Sequence, residues 1–340
     1  MMCTEPQAPL LSVVVPAHNE AAGIGQTIEV LRTLLESQRL TWELIIVDDG
    51  SRDDTYARVC AASAQDARIK GLRLSRNFGK EAALLAGLQA SRGAAVVTLD
   101  ADLQHPPALI PQMLAAWRAG AKIVHAVKRR RDSDGAIARW RARTFNALIK
   151  HLAGIDLTDA SDFKLLDRTV VDVLTRQLPE RSRFYRGLTE WVGYPSVRIE
   201  FDVEERRHGR SQWSLWALLE LATTALISFT SAPLRIVTLL GVFTLLFGAA
   251  VAAEALIGWL RGVAVSGFTT TIITLLVIGS VIMISLGVIG EYIAKIYDEL
   301  KARPIYLVQE QTPGPVASAA EPAGIPGVRT PVEDEPASQT

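Results

Sequence analysis

The chain has little cysteine and no excess charge of either sign. Its 340 residues include two cysteines, Cys3 and Cys60, and its 36 basic side chains balance 36 acidic ones. Two cysteines so far apart exclude a disulfide framework and a cysteine-based zinc site, and they suit a reducing compartment. Zero net charge provides no general attraction for nucleic acid, so we expect no nucleic-acid partner.

The N-terminal residues also lack the pattern of a signal peptide. The first ten residues contain neither a basic segment nor an apolar run. We therefore expect no cleavable signal peptide, and we expect the N-terminal part of the chain to stay in the cytosol. The length suits one large soluble domain together with a smaller addition.

Two long uncharged runs are present in the last third of the chain. Residues 236–253 and 262–290 contain no charged side chain, and each run reaches the length that crosses a membrane. A pair of buried core helices is the alternative interpretation, but core helices seldom need such long uncharged runs. We therefore expect transmembrane helices at 233–260 and 268–293.

Basic residues on either side of the two runs indicate their orientation. Arg235 precedes the first run, Lys295, Lys301 and Arg303 follow the second, and the turn between them carries one charge, Arg261. Because basic residues favour the cytoplasmic side, both flanks and both termini are expected in the cytoplasm, with the turn outside.

Three further segments belong to this membrane part. An interfacial amphipathic helix is expected at 213–232, because the rings of Trp213 and Trp216 suit the membrane interface. A cytoplasmic juxtamembrane segment is expected at 294–309. Residues 310–340 are rich in Pro, Ala, Gly, Ser and Glu without apolar periodicity, which predicts a disordered tail.

The first two thirds of the chain alternate strand and helix patterns. The segments LLSVVVPA, ELIIVDDGS, IKGLRLS, AAVVTLDAD and AKIVHAV are apolar and rich in β-branched residues, with helical periodicity between them. Continuous apolar runs are typical of parallel strands covered on both faces. The alternation predicts an open, doubly wound α/β sheet at 10–212, and ligands bind beyond the carboxyl ends of the strands in such sheets.

Polar residues follow three of these strands, in the sequences PAHNE, DDGS and DADLQ. Asp100 and Asp102 end one strand, and Gln104 follows them. Oxygen ligands in this position suit a hard divalent cation, which can hold a diphosphate. Two acids this close also occur by chance, and DDGS is a good turn sequence in which Ser51 is a candidate helix N-cap. Their repetition at strand ends predicts one shared crevice.

The chain resembles the family-2 glycosyltransferases of GT-A fold, and within them the polyprenyl-phosphate glycosyltransferases such as bactoprenol glucosyltransferase and dolichyl-phosphate mannose synthase. The resemblance covers about residues 10–308. It lies in seven blocks that follow the family's order: VVVPAHNE, ELIIVDDGS, LSRNFGKEAALLAGL, LDADLQHPP, SDFKLLDR, RRHGRSQW and GEYIAKIYDELKARPIY. The last block is typical of the bacterial two-span branch. A Rossmann-like GT-A domain in a bacterial inner membrane is implied.

The resemblance implies roles for the residues at the strand ends. Asp102 and Gln104 would bind Mg²⁺ or Mn²⁺, which bridges the diphosphate of the donor. Asp102 and Asp162 are the candidate catalytic residues. Asp162 would act as a base or an orienting acid, and the alternative is that it caps a following helix. The donor nucleotide would be bound by Pro16, Ala17, Asn19, Glu20, Asp48, Asp100 and Ala101.

An anionic acceptor is implied by the basic regions after the predicted crevice. A solvated basic helix is the ordinary interpretation of residues 129–143, but guanidinium groups also suit a lipid phosphate. The family usually has arginine where this chain has Lys128 and Lys164, and it often has lysine where this chain has Gln212. These differences are expected to change the affinity for the acceptor. The candidates for binding the acceptor phosphate are Lys128, Arg131, Arg139, Arg206, Arg210 and Ser211.

The activity implied is the inverting transfer of one hexose from a nucleotide sugar to undecaprenyl phosphate, for cell-envelope glycan modification. UDP-glucose is the preferred donor, with GDP-mannose or a UDP-aminosugar as alternatives. An inactive homologue that acts as a membrane-bound assembly partner is a hypothesis of a different class. A homo-oligomer, a flippase and a downstream glycosyltransferase are the further partners expected. Close helix packing is permitted by Gly241, Gly248, Gly279 and Gly287.

Replacing Arg206 by alanine should raise the KM for the lipid acceptor roughly tenfold, because a charged hydrogen bond to phosphate is lost, and it should leave the KM for the donor nearly unchanged. Initial rates of radiolabelled sugar transfer, with one substrate varied at a time, measure both constants. Equal effects on the two constants would reject the placement of Arg206 on the acceptor side.

Overall fold

The computed structural model of the chain describes residues 10–128, 161–181, 183–201, 232–261 and 267–312. These residues form one mixed sheet flanked by helices, and two long apolar helices. The strands are β1 (Leu11–Ala17), β2 (Trp42–Asp48), β3 (Ile69–Leu74), β4 (Ala95–Thr98), β5 (Ile123–Lys128), β6 (Lys164–Asp167), β7 (Ser196–Phe201) and β8 (Val308–Gln311).

Helices connect most of these strands. A 3₁₀ turn at Pro107–Leu109 precedes the fourth helix, and a π-helical turn at Val173–Gln177 follows the fifth. The helices are α1 (Ile24–Ser37), α2 (Thr55–Gln65), α3 (Lys80–Ala90), α4 (Ile110–Arg118), α5 (Arg168–Asp172), α6 (Tyr185–Trp191), α7 (Ala232–Leu260) and α8 (Phe268–Leu300).

The order of the strands across the sheet is β7-β5-β6-β4-β1-β2-β3-β8. Strands β3, β2, β1 and β4 are parallel neighbours, as their continuous apolar runs predicted. Strand β6 is antiparallel to both β4 and β5, and β8 is antiparallel to β3. The predicted open α/β sheet is therefore confirmed, and it is a mixed rather than a purely parallel sheet.

Asp162 precedes strand β6 and not a helix, so the interpretation of Asp162 as the cap of a following helix is wrong. Leu165 and Leu166 are both fully buried, one on each face of the sheet. A short run that is apolar on both faces has no periodicity that separates a strand from a helix. The helix cap lies further on, at Asp167, whose side chain accepts the Thr169 N–H at 3.0 Å.

Helix α3 lies very close to the sheet at a glycine. A Cβ placed on Gly87 would lie 2.2 Å from a methyl group of Val14 in β1 and 3.2 Å from one of Val47 in β2. The missing side chain lets α3 approach the central strands. This packing holds Lys80, the first residue of α3, beside the carboxyl ends of those strands.

Two stretches within α7 and α8 are long and apolar enough to cross a membrane, Val237–Gly258 and Thr271–Leu300. They overlap the predicted spans at 233–260 and 268–293, and the second stretch extends seven residues beyond the predicted end. Helix α8 continues through the first residues of the expected juxtamembrane segment. Of the expected interfacial helix at 213–232, all but Ala232 lies outside the described residues, and Ala232 belongs to α7.

Three residues of the expected tail are ordered at the edge of the sheet. Glu310 and Gln311 belong to β8, and Thr312 is buried against β3, so the expectation of disorder from residue 310 is wrong for 310–312. The sequence VQEQ has no apolar alternation, and its order comes from backbone pairing with β3. Residues 313–340 lie outside the described residues.

Replacing Gly87 by alanine should destabilise the sheet domain by roughly 1–3 kcal/mol, because the new methyl group overlaps Val14. Thermal unfolding in detergent, followed by intrinsic fluorescence, measures the change. Gly25→Ala is the matched control: it lies in α1, nothing lies within 4 Å of its added Cβ, and alanine favours helix. Equal midpoints for the two variants would contradict the close packing of α3.

Candidate active site

The carboxyl ends of β1, β2 and β4 come together at one edge of the sheet. Ala17 at the end of β1 lies opposite Asp48 at the end of β2, and β4 pairs with β1 on its other side. The backbone N–H of Asn19 donates to the Ser51 hydroxyl at 2.9 Å, and the Arg52 N–H donates to the Asn19 side-chain oxygen at 3.0 Å. These bonds join the loops after β1 and β2 around one crevice.

Ser51 does not cap helix α2, which the DDGS sequence had suggested. The helix begins at Thr55, and its preceding residue, Asp54, makes no side-chain capping bond. The Ser51 hydroxyl instead accepts the backbone N–H of Asn19. Asn19 has a φ of 56°, a left-handed conformation that asparagine tolerates better than most residues. Ser51 therefore stabilises the sharp turn after β1.

Asp48 combines complete burial with one side-chain oxygen that is not fully engaged. Its Oδ1 accepts the Ser51 N–H at 3.1 Å. Its Oδ2 has no hydrogen-bond partner among the described residues and lies 3.5 Å from Nε of Arg73. A buried oxygen without a hydrogen bond is costly, and an N–H donor would satisfy it. The neighbouring Pro16 and Ala17 are buried within β1 and support the crevice from inside the sheet.

Asp49 has a different task from its neighbour Asp48. Its two oxygens accept the backbone N–H groups of Phe78 and Gly79 at 2.7 and 2.9 Å. Gly79 has a φ of 96° and directly precedes α3. Asp49 thus fixes the loop before α3 through contacts that are distant in sequence, whereas the local turn bond of DDGS is made by Oδ1 of Asp48 and leaves Oδ2 without a hydrogen bond.

The loop after β4 presents its two acids differently. Asp100 Oδ1 lies 2.5 Å from Nζ of Lys80, and the Ala101 carbonyl accepts the Thr27 hydroxyl at 2.7 Å. Asp102 is exposed, and one of its oxygens accepts the Gln104 N–H at 3.1 Å. Asp102 therefore keeps its other carboxylate oxygen for an external ligand.

The backbone is strained inside the same D-x-D turn. Leu103, between Asp102 and Gln104, has a φ of 54°, and left-handed backbone is unfavourable for a leucine. Strain of this kind is concentrated at functional sites, where the surrounding structure enforces it. The strained residue turns the chain back so that Asp102 and Gln104 lie on neighbouring positions of one tight turn.

Several carboxylates face each other across the crevice. Burial raises the pKa of Glu20, and the charges of Asp102, Asp53 and Asp100 raise that pKa further. Facing carboxylates repel one another, and a divalent cation relieves this repulsion. The acids of the β1 and β4 loops therefore form a region of negative potential.

The side-chain oxygens in this region supply some of the ligands that a hard cation needs. Among the described residues, no group of three or more His, Cys, Asp and Glu side chains is arranged to hold a metal ion. Asp102 and Gln104 supply oxygens of the type that Mg²⁺ and Mn²⁺ accept, and the remaining positions suit diphosphate oxygens and water. The residues present thus fit a metal that binds together with an anionic ligand.

A buried ion-pair cluster lies beside the acids. Asp162 is buried, and its carboxylate accepts from Nε and NH2 of Arg186 at 2.7 and 2.8 Å and from Nζ of Lys80 at 2.5 Å. Burial alone would raise the pKa of Asp162, but Arg186 and then Lys80 outweigh it and hold this pKa well below its usual range. Asp162 is therefore a weak base, and the geometry favours the orienting role over the basic one.

Two family models match the chain. The one described as glycosyl transferase family 2 matches residues 12–174, and the one described as GtrB C-terminal hairpin matches residues 232–296. An uncharacterized glycosyltransferase of Synechocystis is 39% identical over 302 residues, which cover 88% of this chain and 95% of that protein. This chain belongs to glycosyl transferase family 2.

Other relatives of this glycosyltransferase agree with that assignment. The bactoprenol glucosyl transferase of Shigella phage SfII is 35% identical over 309 residues, which cover 89% of this chain and 99% of that protein. Among solved structures, glucosyl-3-phosphoglycerate synthase from Mycobacterium tuberculosis is 23% identical, with a TM-score of 0.42 and coverage of 64% of this chain and 76% of that chain. The family-2 model and the relatives from Synechocystis and phage SfII confirm the prediction of a glycosyltransferase, and the family-2 model together with the mixed α/β sheet confirms the prediction of the GT-A fold.

Lys80 and Arg186 are site residues of the glycosyltransferase that sequence reasoning missed. Lys80 lies in the block LSRNFGKEAALLAGL, and its positive charge at the start of a helix is the sequence signal that could have identified it. A cation at the first position of a helix is disfavoured by the helix dipole, so Lys80 breaks a local rule. Burial lowers the pKa of Lys80, but Asp162 and Asp100 raise it above its ordinary value. Lys80 therefore stays cationic between the two carboxylates.

Lys164 does not face the crevice of the glycosyltransferase. Its side chain is fully buried and donates to the Thr189 hydroxyl, and burial lowers the pKa of Lys164 to about 8. The departure from the family's arginine at this position therefore concerns a buried polar contact. The expectation that Lys164 bears directly on acceptor affinity is not supported by this placement.

Of the acceptor candidates, Lys128 lies within the described residues. Lys128 is the last residue of β5. The others lie outside the described residues and stay predictions: Arg131, Arg139, Arg206, Arg210 and Ser211.

Glu81 of the glycosyltransferase should make stability depend on pH. Burial raises the pKa of Glu81 to about 7 from 4.5, so the folded state holds a proton that the unfolded state has lost. Stability should therefore fall as pH rises from 4.5 through 7. Glu81→Gln keeps an acceptor for the Tyr185 N–H, which donates to Glu81 at 2.8 Å.

The Glu81→Gln variant should be more stable than wild type at pH 8 by up to about 3 kcal/mol, less where solvent screens the partly exposed carboxyl. The difference should shrink toward pH 5. Thermal unfolding at both pH values measures it, and Glu29→Gln on the exposed face of α1 should change stability by less than about 0.5 kcal/mol. A difference that is the same at both pH values would contradict the raised pKa.

Proposed function

We propose that this glycosyltransferase transfers one glucose from UDP-glucose to undecaprenyl phosphate, with inversion at the anomeric carbon. The observation that carries the proposal is the shared crevice, where the Asp48 oxygen without a hydrogen bond lies at the end of β2 and the exposed Asp102 lies after β4. The bactoprenol glucosyl transferases of phages SfII and SfX, each 35% identical over nearly their whole length, support the sugar and the lipid.

The donor is held at both of its ends in this proposal. Asp48 accepts an N–H of the uracil base, and Asn19 and Glu20 border the nucleotide from the β1 loop. Asp100 and Ala101 lie along its phosphate side. Asp102 and Gln104 would hold Mg²⁺ or Mn²⁺, which when bound would supply positive charge to balance the negative charge on the departing UDP.

The acceptor phosphate attacks without help from a strong base. A phosphate monoester is mostly ionised at neutral pH, since its second pKa is about 6. One of its oxygens forms a bond to the anomeric carbon while the bond from that carbon to the β-phosphate oxygen breaks, and UDP leaves with the electron pair. Asp162 is paired with Arg186 and Lys80, which disfavours a covalent sugar–enzyme step at this carboxylate. A single displacement inverts the anomer.

The reaction takes place at the cytoplasmic face of the bacterial inner membrane in this proposal. Helices α7 and α8 cross the membrane, and basic residues follow α8 on the cytoplasmic side. The interfacial helix at 213–232 and the basic residues of the acceptor set then bring the lipid phosphate to the crevice. A homo-oligomer, with a flippase or downstream glycosyltransferase acting on the product, completes the proposal for cell-envelope glycan modification.

Membranes that contain the protein should transfer radiolabelled glucose from UDP-glucose to undecaprenyl phosphate, and EDTA should abolish the transfer. A panel that includes GDP-mannose and UDP-aminosugars measures the preference for the sugar. Faster transfer from another donor would reject UDP-glucose. Absence of transfer from the whole panel would overturn the proposed reaction and favour an assembly partner without activity.

Asp102→Asn should lower the transfer rate roughly a hundredfold or more, as loss of an electrostatic contact to a leaving group does elsewhere, with membrane insertion unchanged. Asp54→Asn is the matched control, because Asp54 is an exposed acid after β2 and makes no capping bond. Radiolabelled transfer with saturating substrates checks both variants. Full activity in Asp102→Asn would remove the metal role of this residue.

A further inference from the structure

The strand that follows the second long helix pairs with the edge of the catalytic sheet. In β8, Glu310 lies opposite Arg73 of β3. The pairing is secured on both sides, since the Ser75 N–H donates to the Leu307 carbonyl at 2.9 Å and the Gly71 N–H donates to the Thr312 hydroxyl at 2.8 Å. A segment from the membrane part of the chain thus becomes part of the sheet that carries the crevice.

Arg73 lies between this strand and the proposed base pocket. Its NH1 is 3.4 Å from the Glu310 carboxylate, and its Nε is 3.5 Å from Oδ2 of Asp48. Its NH2 lies 3.5 Å from the Ser51 carbonyl, and its guanidinium lies over the Tyr56 ring at 5.4 Å. One guanidinium is therefore shared between a carboxylate of the base pocket and a carboxylate of β8.

We propose that Arg73 is a positioning residue for the donor base, and that Glu310 of β8 sets its position. The inference rests on the proposed function, in which Asp48 accepts an N–H of the base. Glu310 holds the guanidinium toward the sheet edge, so that Oδ2 of Asp48 stays available to the nucleotide. The strand that follows α8 thereby tunes the affinity of the enzyme for its donor.

The distances support a competition between the two carboxylates. A hydrogen bond from a guanidinium to a carboxylate is about 2.7–2.9 Å long, and Arg73 is further than this from both Asp48 and Glu310. If the charge of Glu310 is removed, Asp48 becomes the remaining carboxylate partner among the described neighbours of Arg73. The guanidinium then closes on Oδ2 and occupies the oxygen that the base requires.

The size of the effect follows from the exposure of the pair. The Glu310 side chain is 48% exposed and that of Arg73 is 31% exposed, so solvent screens their attraction. We expect a change of about threefold in nucleotide affinity, in the range of partly exposed ion pairs. Because coupling between sites is reciprocal, bound nucleotide should also protect the backbone of β8 from hydrogen exchange.

The test is isothermal titration of UDP, in the presence of Mn²⁺, into the full-length protein in detergent. Glu310→Gln should raise the Kd for UDP about threefold, with no change in the KM for the lipid acceptor. Gln311→Ala is the matched control on the same exposed strand and should bind UDP like wild type. UDP should slow hydrogen exchange in a peptide that covers 308–312 of wild type more than in Glu310→Gln.

A double-mutant cycle separates positioning from a structural role. In an Arg73→Ala background, Glu310→Gln should leave the Kd for UDP unchanged, because the competing guanidinium is gone. A threefold change that persists without Arg73, or an unchanged or lower Kd in Glu310→Gln alone, would overturn the inference while wild type still binds UDP. Failure of wild type to bind UDP would instead overturn the proposed function, and this inference with it.

Discussion

The site depends on one shared ammonium group. Lys80 lies between Asp100 and Asp162, which come from different loops, and its ammonium group contacts both carboxylates and keeps them close to each other. Its own position depends on the bonds from Asp49 to the loop before α3 and on the close approach of α3 at Gly87. Without this cation, the buried Asp162 and the acids of the β4 loop would repel one another. The ammonium group of Lys80 therefore stabilises the acidic residues of the crevice in one place.

The two adjacent acids of DDGS, Asp48 and Asp49, make different kinds of contact. Asp49 satisfies backbone donors and gains stability for the loop, whereas Asp48 keeps a buried oxygen without a hydrogen bond at a cost to stability. The second arrangement is what a specific binding site requires, because a ligand that satisfies the buried oxygen is strongly preferred over one that does not. In the proposed function, stability and recognition are therefore assigned to adjacent carboxylates.

The sequence predicted the parts of the molecule that local patterns determine. Continuous apolar runs located the parallel strands, and the polar residues after them located Asp48, Asp100 and Asp102. Strand β6 was missed because four residues buried on both faces have no period, and β8 was missed because its polar sequence is ordered by pairing with β3. Arg186 was missed because its partner, Asp162, lies 24 residues away, and the bond from Lys80 to Asp162 spans 82 residues. Contacts between residues so far apart in the chain produce no periodic pattern in the sequence.

The connection between α8 and β8 limits where the catalytic sheet can work. Seven residues, 301–307, separate Leu300 from Val308, and a fully extended connection of this length spans at most roughly 25 Å. The edge of the sheet therefore stays within that distance of the end of α8, whatever the domain does by rotation. If the acceptor is carried in the membrane as proposed, these seven residues limit how far from the lipid surface the crevice can meet it. Lengthening them would then change the geometry of that encounter without changing any residue of the crevice.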